Sequence, residues 1–306
     1  MEGVPLSWIL IAILSAAVQG LISILDKFFI HKYVTTPLTL PLLIGMAQGT
    51  VGLFIVFTVG IGTPFNLEAV MAALASGVLF GIAGVLGMRV LFSQEVSRTT
   101  PVVQSAPIFA ALLAFIFLRE SISVLQWFAI VLTVIGSAML SVHFGKTGSG
   151  IFSHKSFYLL MLAALFSGAT NVVGKVALEE LPVLLTHGYR MLALGGTFLL
   201  FSLRSEPLRD VLGHFSRRNP ALLVVATNEF VLATIGILLL LWALAEGPVS
   251  LVTALSGTRA LFIVIYSTTL AMLWRGALGE DRSLRAVTQK MISSTLIVIG
   301  IVAIVA

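Results

Sequence analysis

Apolar residues fill this chain in long runs separated by brief polar breaks. Crossing the hydrocarbon layer takes roughly 17–25 mostly apolar residues per helix. On that measure the pattern predicts ten spans, at about residues 6–30, 39–61, 69–92, 100–118, 124–142, 157–178, 184–203, 221–245, 250–273 and 286–306. Most loops between them are very short. One break stands near the midpoint: His143–Ser156, HFGKTGSGIFSHKS, is basic and carries glycine and serine. The expected fold class is all-α integral membrane.

The two sides of that break repeat each other. Ala16–Ile30 (AAVQGLISILDKFFI) aligns with Ala164–Leu178 (ALFSGATNVVGKVAL), so that Gly20 meets Gly168 and Lys27 meets Lys175 at one offset. Further along, Leu118–Glu120 (LRE) answers Leu278–Glu280 (LGE), and Ile135–Gly136 answers Ile299–Gly300. Ordered matches in one direction point to an internal duplication. The domain reading is therefore a first five-helix repeat at 1–142, a linker at 143–156 and a second five-helix repeat at 157–306. Five is odd, so the second copy enters the membrane in the opposite sense. Ten helices as two inverted five-helix repeats is an architecture of secondary transporters, with a site near the midplane.

Composition agrees with the pattern and narrows it. The chain of 306 residues is 58% hydrophobic and 10% charged, too apolar for a soluble protein. The first span has neither a basic leader nor a small-residue cleavage site after it, and reads as a retained helix. With no cysteine there is no disulfide, thiolate metal site or cysteine nucleophile. A net charge of +5 would point to nucleic acid in a soluble protein. Here its distribution says otherwise. The loops after spans one, three, five, seven and nine hold Lys32, Arg98, Lys146, Lys155, Arg204, Arg209, Arg217, Arg218, Arg275, Arg282 and Arg285. The opposite side holds Arg119 among the acidic Glu2, Glu68, Glu120, Glu179, Glu180 and Glu246. By the positive-inside rule the linker is cytoplasmic and both termini are outside.

Small and polar residues within spans carry the rest. Gly45, Gly49 and Gly52 share one face of span two, and Gly77, Gly81 and Gly84 one face of span three, a pattern that predicts close helix packing. Ionisable and amide groups inside a span are costly and mark candidate sites. Span six carries Asn171; span seven carries Arg190, with His187 beside it; span eight carries Asn228 and Glu229; span nine carries Ser256, Arg259 and Tyr266. The first copy offers Gln104, one turn before Pro107. Lys27, Lys175 and Arg89 lie near helix ends and read as interfacial anchors, Lys175 also pairing with Glu179 four residues on. His187 reads as a satisfied polar group near a helix end. Two arginines and a glutamate without partners would cost on the order of 7–10 kcal/mol. Arg190, Glu229 and Arg259 are therefore expected to converge, with Asn171 and Asn228, on a net positive cavity suited to a carboxylate or phosphate. Glu229 is either an ion-pair partner or a proton-titrating group. Pro107 and Gly257 are the expected hinge points of spans four and nine.

These features resemble the ten-helix, EamA-like transporters of the drug/metabolite transporter superfamily. The resemblance is carried by the Gly-rich first helix of each copy ending in Lys27 and Lys175, by Pro107, by the LRE and LGE endings at Glu120 and Glu280, and by Gly136 and Gly300. It implies a cavity lined by spans one, three, four, six, eight and nine, and a family pattern with both termini in the cytoplasm, opposite to the charge count of this chain. The function expected is secondary-active transport, as an exporter, of a small polar metabolite or amphipathic compound by alternating access. The expected place is the cell membrane, multi-pass, of a bacterium or archaeon. Expected partners are a small-molecule substrate and membrane lipids, with no nucleic acid, no cofactor and no metal, in a monomer or homodimer. The alternatives are a lipid flippase or scramblase on the same fold and, more remotely, a membrane-embedded enzyme. No paired-histidine helix, acidic repeat or Gly-flanked serine elbow supports the enzyme.

Overall fold

The structure, a computed structural model, describes residues 7–33, 36–63, 65–93, 102–141, 154–216, 221–273 and 284–305. Of the predicted features, linker residues 143–153, Gly279, Glu280, Arg98, Lys146, Arg217, Arg218, Arg275 and Arg282 lie outside the described residues, as do the side chains of Lys27, Lys32 and Arg285. The described elements are helical: α1 Ser7–Tyr33, α2 Thr39–Val59, α3 Leu67–Ser93, α4 Ala106–Phe117, α5 Val124–Ser141, α6 His154–Leu178, α7 Val183–Ser202, α8 Ser205–Ser216, α9 Ala221–Ala226, a π-helical turn Thr227–Ala233, α10 Thr234–Glu246, α11 Val249–Ser256, α12 Arg259–Leu273 and α13 Leu284–Val305. Among the described residues, seven helices are long and apolar enough to cross a membrane, and three shorter apolar helices cover 106–117, 124–140 and 288–304. Seven of the predicted spans correspond to helices long enough to cross, and the other three overlap the shorter apolar helices. The chain is a multi-pass, membrane-embedded protein.

Helices from the two halves interleave. α2 lies along α7, α3 along α6 and α7, α5 along α13, α4 on α6 and α11, and α1 along α10 and α12. The α1–α10 pair is antiparallel, since Ser7 bonds Glu246 at one end, Ser15 donates to the Gly236 carbonyl midway, and Asn228 donates to Asp26 towards the other. The larger apolar core gathers Trp8, Ala12, Ala111, Ile130, Leu241, Leu244, Val252 and Leu255 where α1, α4, α5, α10 and α11 meet. A second forms around Phe29, Leu42, Leu194 and Phe198.

The glycine faces do what their spacing predicts. A Cβ built on Gly52 would lie 2.4 Å from the Leu192 nitrogen, and one on Gly77 would lie 2.1 Å from the Arg190 carbonyl oxygen. Gly81 and Gly84 face Thr197 and Phe198 of the same helix. α7 is thus held between α2 and α3 at backbone-to-backbone distance, which only small residues permit.

Three departures from regular helix shape the middle of the molecule. Span four is interrupted by a turn at Gln104–Ser105, where Ser105 and Ile108 make i→i+3 hydrogen bonds. Pro107 therefore sits in the first turn of α4, where its missing N–H costs nothing. Span nine is interrupted at Gly257–Thr258, between α11 and α12. Span eight contains the π-helical turn, and Asn228 and Glu229 lie inside it. The loop predicted between spans seven and eight holds a further short amphipathic helix, α8, which buries Pro207 and Val211 and is tied to α2 by a Thr39–Asp210 hydrogen bond of 2.7 Å.

Candidate functional site

Hydrogen bonds divide the predicted polar residues into two sets. The first lies towards the ends of α1 and α2 nearest Tyr33 and Thr39. Asn228 donates its amide to Asp26 at 2.7 Å and to Glu229 at 3.1 Å, so one nitrogen bridges two carboxylates. Gln48 of α2 donates to the Glu229 backbone carbonyl at 2.6 Å and approaches its carboxylate at 3.4 Å. The π turn explains both contacts. Its extra residue puts side chains on a wider arc and shifts carbonyls out of the i→i−4 ladder, and such turns gather at functional sites. Arg259, at the first residue of α12, donates to Ser23 through Nε at 2.8 Å and Nη2 at 2.5 Å. Asn228, Glu229 and Gln48 are buried, Asp26 is half-buried and Arg259 is exposed.

The second set lies in the opposite half, where α3, α6, α7 and α11 meet. Arg190 is 1% exposed; its Nη2 stands 3.5 Å from the Asn171 side-chain oxygen, and Asn171 donates to Thr253 at 3.4 Å. The guanidinium carbon lies 5.1 Å from the Phe80 ring centroid, a cation–π distance. Ser76 donates to the Thr170 carbonyl at 2.8 Å across the α3–α6 contact. Thr186, His187 and Arg190 follow one stripe of α7, all fully or almost fully buried, and each carries polar atoms with no protein partner. His187 thus differs from the satisfied group expected of it. Among the described residues no ion pair joins Arg190 or Arg259 to Glu229. Their expected convergence rests on the cost of unpaired charges within spans, which fixes no direction around the helix axis.

The remaining candidates are placed as follows. Ser256 returns its hydroxyl to the Val252 carbonyl, Tyr266 stacks at 6.1 Å on Phe262, and Gln104 sits in the turn before α4. The hydrogen bonds of Lys175 go across to α10 while Glu120 and Glu179 act on its charge from further off. Its Nζ donates to the Leu244, Ala245 and Gly247 carbonyls at 2.6, 3.1 and 3.3 Å, capping the end of α10. Glu120 accepts from the Val249 and Ser250 amides at 2.6 and 3.1 Å and from the Ser250 hydroxyl at 2.7 Å, capping the start of α11. The link between spans eight and nine is thus held by a cation on its carbonyl side and a carboxylate on its amide side, as the helix dipole favours. Asp26 is the residue that sequence reasoning passed over. It stands next to Lys27 near the expected end of span one, and its pairing with span eight is visible only in three dimensions.

Comparison with known proteins follows from this architecture. The profile of the EamA-like transporter family matches residues 6–142 and again 154–279. Among solved structures, one described only as the crystal structure of a protein superposes with a TM-score of 0.67 over 97% of this chain and 95% of that one, at 15% identity, a likeness of fold alone. None of the curated proteins compared with the chain matches it.

Proposed function

Since the chain belongs to the EamA-like transporter family, we propose that it is a secondary-active transporter. On this reading it exports a small polar or amphipathic metabolite by alternating access between two inverted five-helix repeats. The interleaved pairing supports it: exchanging the two copies maps α3 on α6 to α10 on α1, and α4 on α6 to α12 on α1. The interruptions at Gln104–Ser105 and Gly257–Thr258 fall in matching spans of the copies, where broken helices line transporter sites. On this reading the protein lies in the plasma membrane, and the charge count supports a cytoplasmic linker.

The observation that carries the reading is the Asp26–Asn228–Glu229 bridge beside Arg259. Two carboxylates drawn to one amide repel each other. Arg259 offsets one charge, and a proton or a cationic group of the substrate offsets the other. Arg259 stands beside them and is the most exposed of the set. Asn171, Arg190, Ser256, Tyr266 and Gln104 complete the substrate-binding set, with Pro107 and Gly257 beside the points where spans four and nine yield.

The test is solute counterflow in proteoliposomes, with an imposed proton gradient as the second variable. Asp26→Asn and Glu229→Gln are expected to fold and to lose gradient-driven accumulation by roughly 10-fold or more, the effect of losing a hydrogen bond to a charged group. Both variants at wild-type rates would remove this cluster from the site. Lipid scrambling without solute movement would instead favour a flippase.

A further inference from the structure

A second buried site stands apart from the carboxylate pair. Arg190 presents Nε and Nη1 with no hydrogen-bond partner in the protein, inside a half of the bundle where no described carboxylate pairs with it. Its single polar contact is the Asn171 oxygen at 3.5 Å, the outer limit of a hydrogen bond. One turn back along the same face, His187 is 0% exposed with neither ring nitrogen bonded, and the Thr186 hydroxyl is likewise buried without a partner. Buried polar atoms in proteins are almost always satisfied, so five such atoms on one stripe need an explanation. Four of the five belong to Arg190 and His187, and a guanidinium and a ring N–H are donors. A cation site for substrate would need acceptors, and these groups supply few.

Packing keeps the guanidinium available. Gly174 stands next to it: a Cβ there would lie 3.4 Å from Nη1 and 3.2 Å from the Ser76 hydroxyl. Gly77 lets the Arg190 backbone press against α3. Phe80 covers one face of the planar group, which leaves its edge, where the N–H bonds point, as the binding direction. We infer that Arg190, with His187 and Thr186, forms an anion-binding site between α3, α6 and α7, taking a carboxylate or phosphate group, or a small inorganic anion, on the free edge of the guanidinium. The substrate-borne case rests on the transport reading above; the inorganic case does not.

Binding is measured on the purified full chain in nanodiscs, as the thermal unfolding midpoint against acetate, inorganic phosphate and chloride, with a bulky sulfonate buffer anion holding ionic strength constant. The midpoint of the wild type is expected to rise saturably with at least one of the three. Arg190→Gln should need roughly 10- to 100-fold more of that anion, the range for a hydrogen bond to a charged group, while Arg190→Lys should fall between. Stabilisation by acetate or phosphate but not chloride, with counterflow that prefers an acidic solute over its neutral amide, assigns the anion to the substrate. Stabilisation by chloride, with movement of a neutral solute that depends on chloride, assigns a free anion; both results support the site. A wild-type midpoint unmoved by all three anions overturns it, whether or not Arg190→Gln folds. So does an Arg190→Gln response equal to the wild type. Vesicles that move no solute while anions still stabilise the protein would sink the transport reading and leave the anion site standing.

Discussion

The contact between α2 and α7 allows a sharp comparison, because two glycines on one helix face meet very different surroundings. At Gly49 an added Cβ would find the Gly195 Cα at 3.7 Å, an ordinary contact distance. At Gly52, less than one turn on, it would find the Leu192 nitrogen at 2.4 Å, the Gly188 oxygen at 2.6 Å and the Leu192 Cα at 2.9 Å. None of these is a side-chain end that can rotate away. To reach normal contact the backbones must part by about 1 Å, and such a gap forfeits a quarter to a half of the dispersion energy of the atoms on both sides. Overpacking of this kind costs about 1–3 kcal/mol. Against it stands the helix preference for alanine over glycine, about 1 kcal/mol. Gly49→Ala should therefore be neutral or stabilising by up to about 1 kcal/mol, while Gly52→Ala should lose up to about 2 kcal/mol net. Thermal unfolding of both variants in the same detergent, followed by loss of the monodisperse peak, reads the difference. Equal midpoints, or Gly52→Ala above wild type, would refute the close approach of α2 to α7.

Two more changes test the clamped link between spans eight and nine. Arg119 has φ +54°, in the left-handed region, and turns the chain so that Glu120 reaches α11; Arg119→Gly should stabilise by about 1 kcal/mol and Arg119→Val should destabilise by a similar amount or more, both read in thermal unfolding. Lys175→Met removes the cation from three carbonyls and should cost about 1.5–3 kcal/mol, whereas Glu120→Gln keeps the acceptor geometry and should cost less, about 1 kcal/mol, so the reverse order would count against the clamp.

How far the sequence led can be judged residue by residue. The spans were legible because apolar length is a direct requirement of the bilayer, and the glycine faces because spacings of three and four place residues on one stripe. The LRE ending was legible as a repeated motif, answered by LGE in the second copy. The partners of the polar residues were not legible. Arg190 and Glu229 are expected to converge, yet one faces α3 and α6 while the other faces α1 and α2. Rotation about the helix axis is set by packing, and in span eight the π turn changes it further. Nothing in Thr227–Ala233 marks that turn in the sequence. Asp26 was hidden for the converse reason: a carboxylate beside a lysine near a span end has an easy interfacial reading, and only the antiparallel α1–α10 pair brings it to Asn228.

The small residues and the orphaned polar ones belong to one design. Where α7 is pressed against α2 through Gly45, Gly49 and Gly52 and against α3 through Gly77, backbone meets backbone, and at Gly81 and Gly84 the α3 backbone meets the Thr197 and Phe198 side chains, so that lipid has no room to enter. A side chain that points into such a seam must find its partners in protein or in a ligand, because neither lipid nor bulk water reaches it. Ser76 and Thr170 meet that demand by bonding carbonyls across the α3–α6 contact. Arg190 leaves the same seam with two of its three nitrogens unanswered. Substituting leucine for it would fill the space without the cost of a buried cation, about 2.5–3.5 kcal/mol at mid-span on insertion scales. A fold that could close over an apolar residue there carries a guanidinium instead, and the glycines that hold α7 in place also hold that guanidinium ready for an anion.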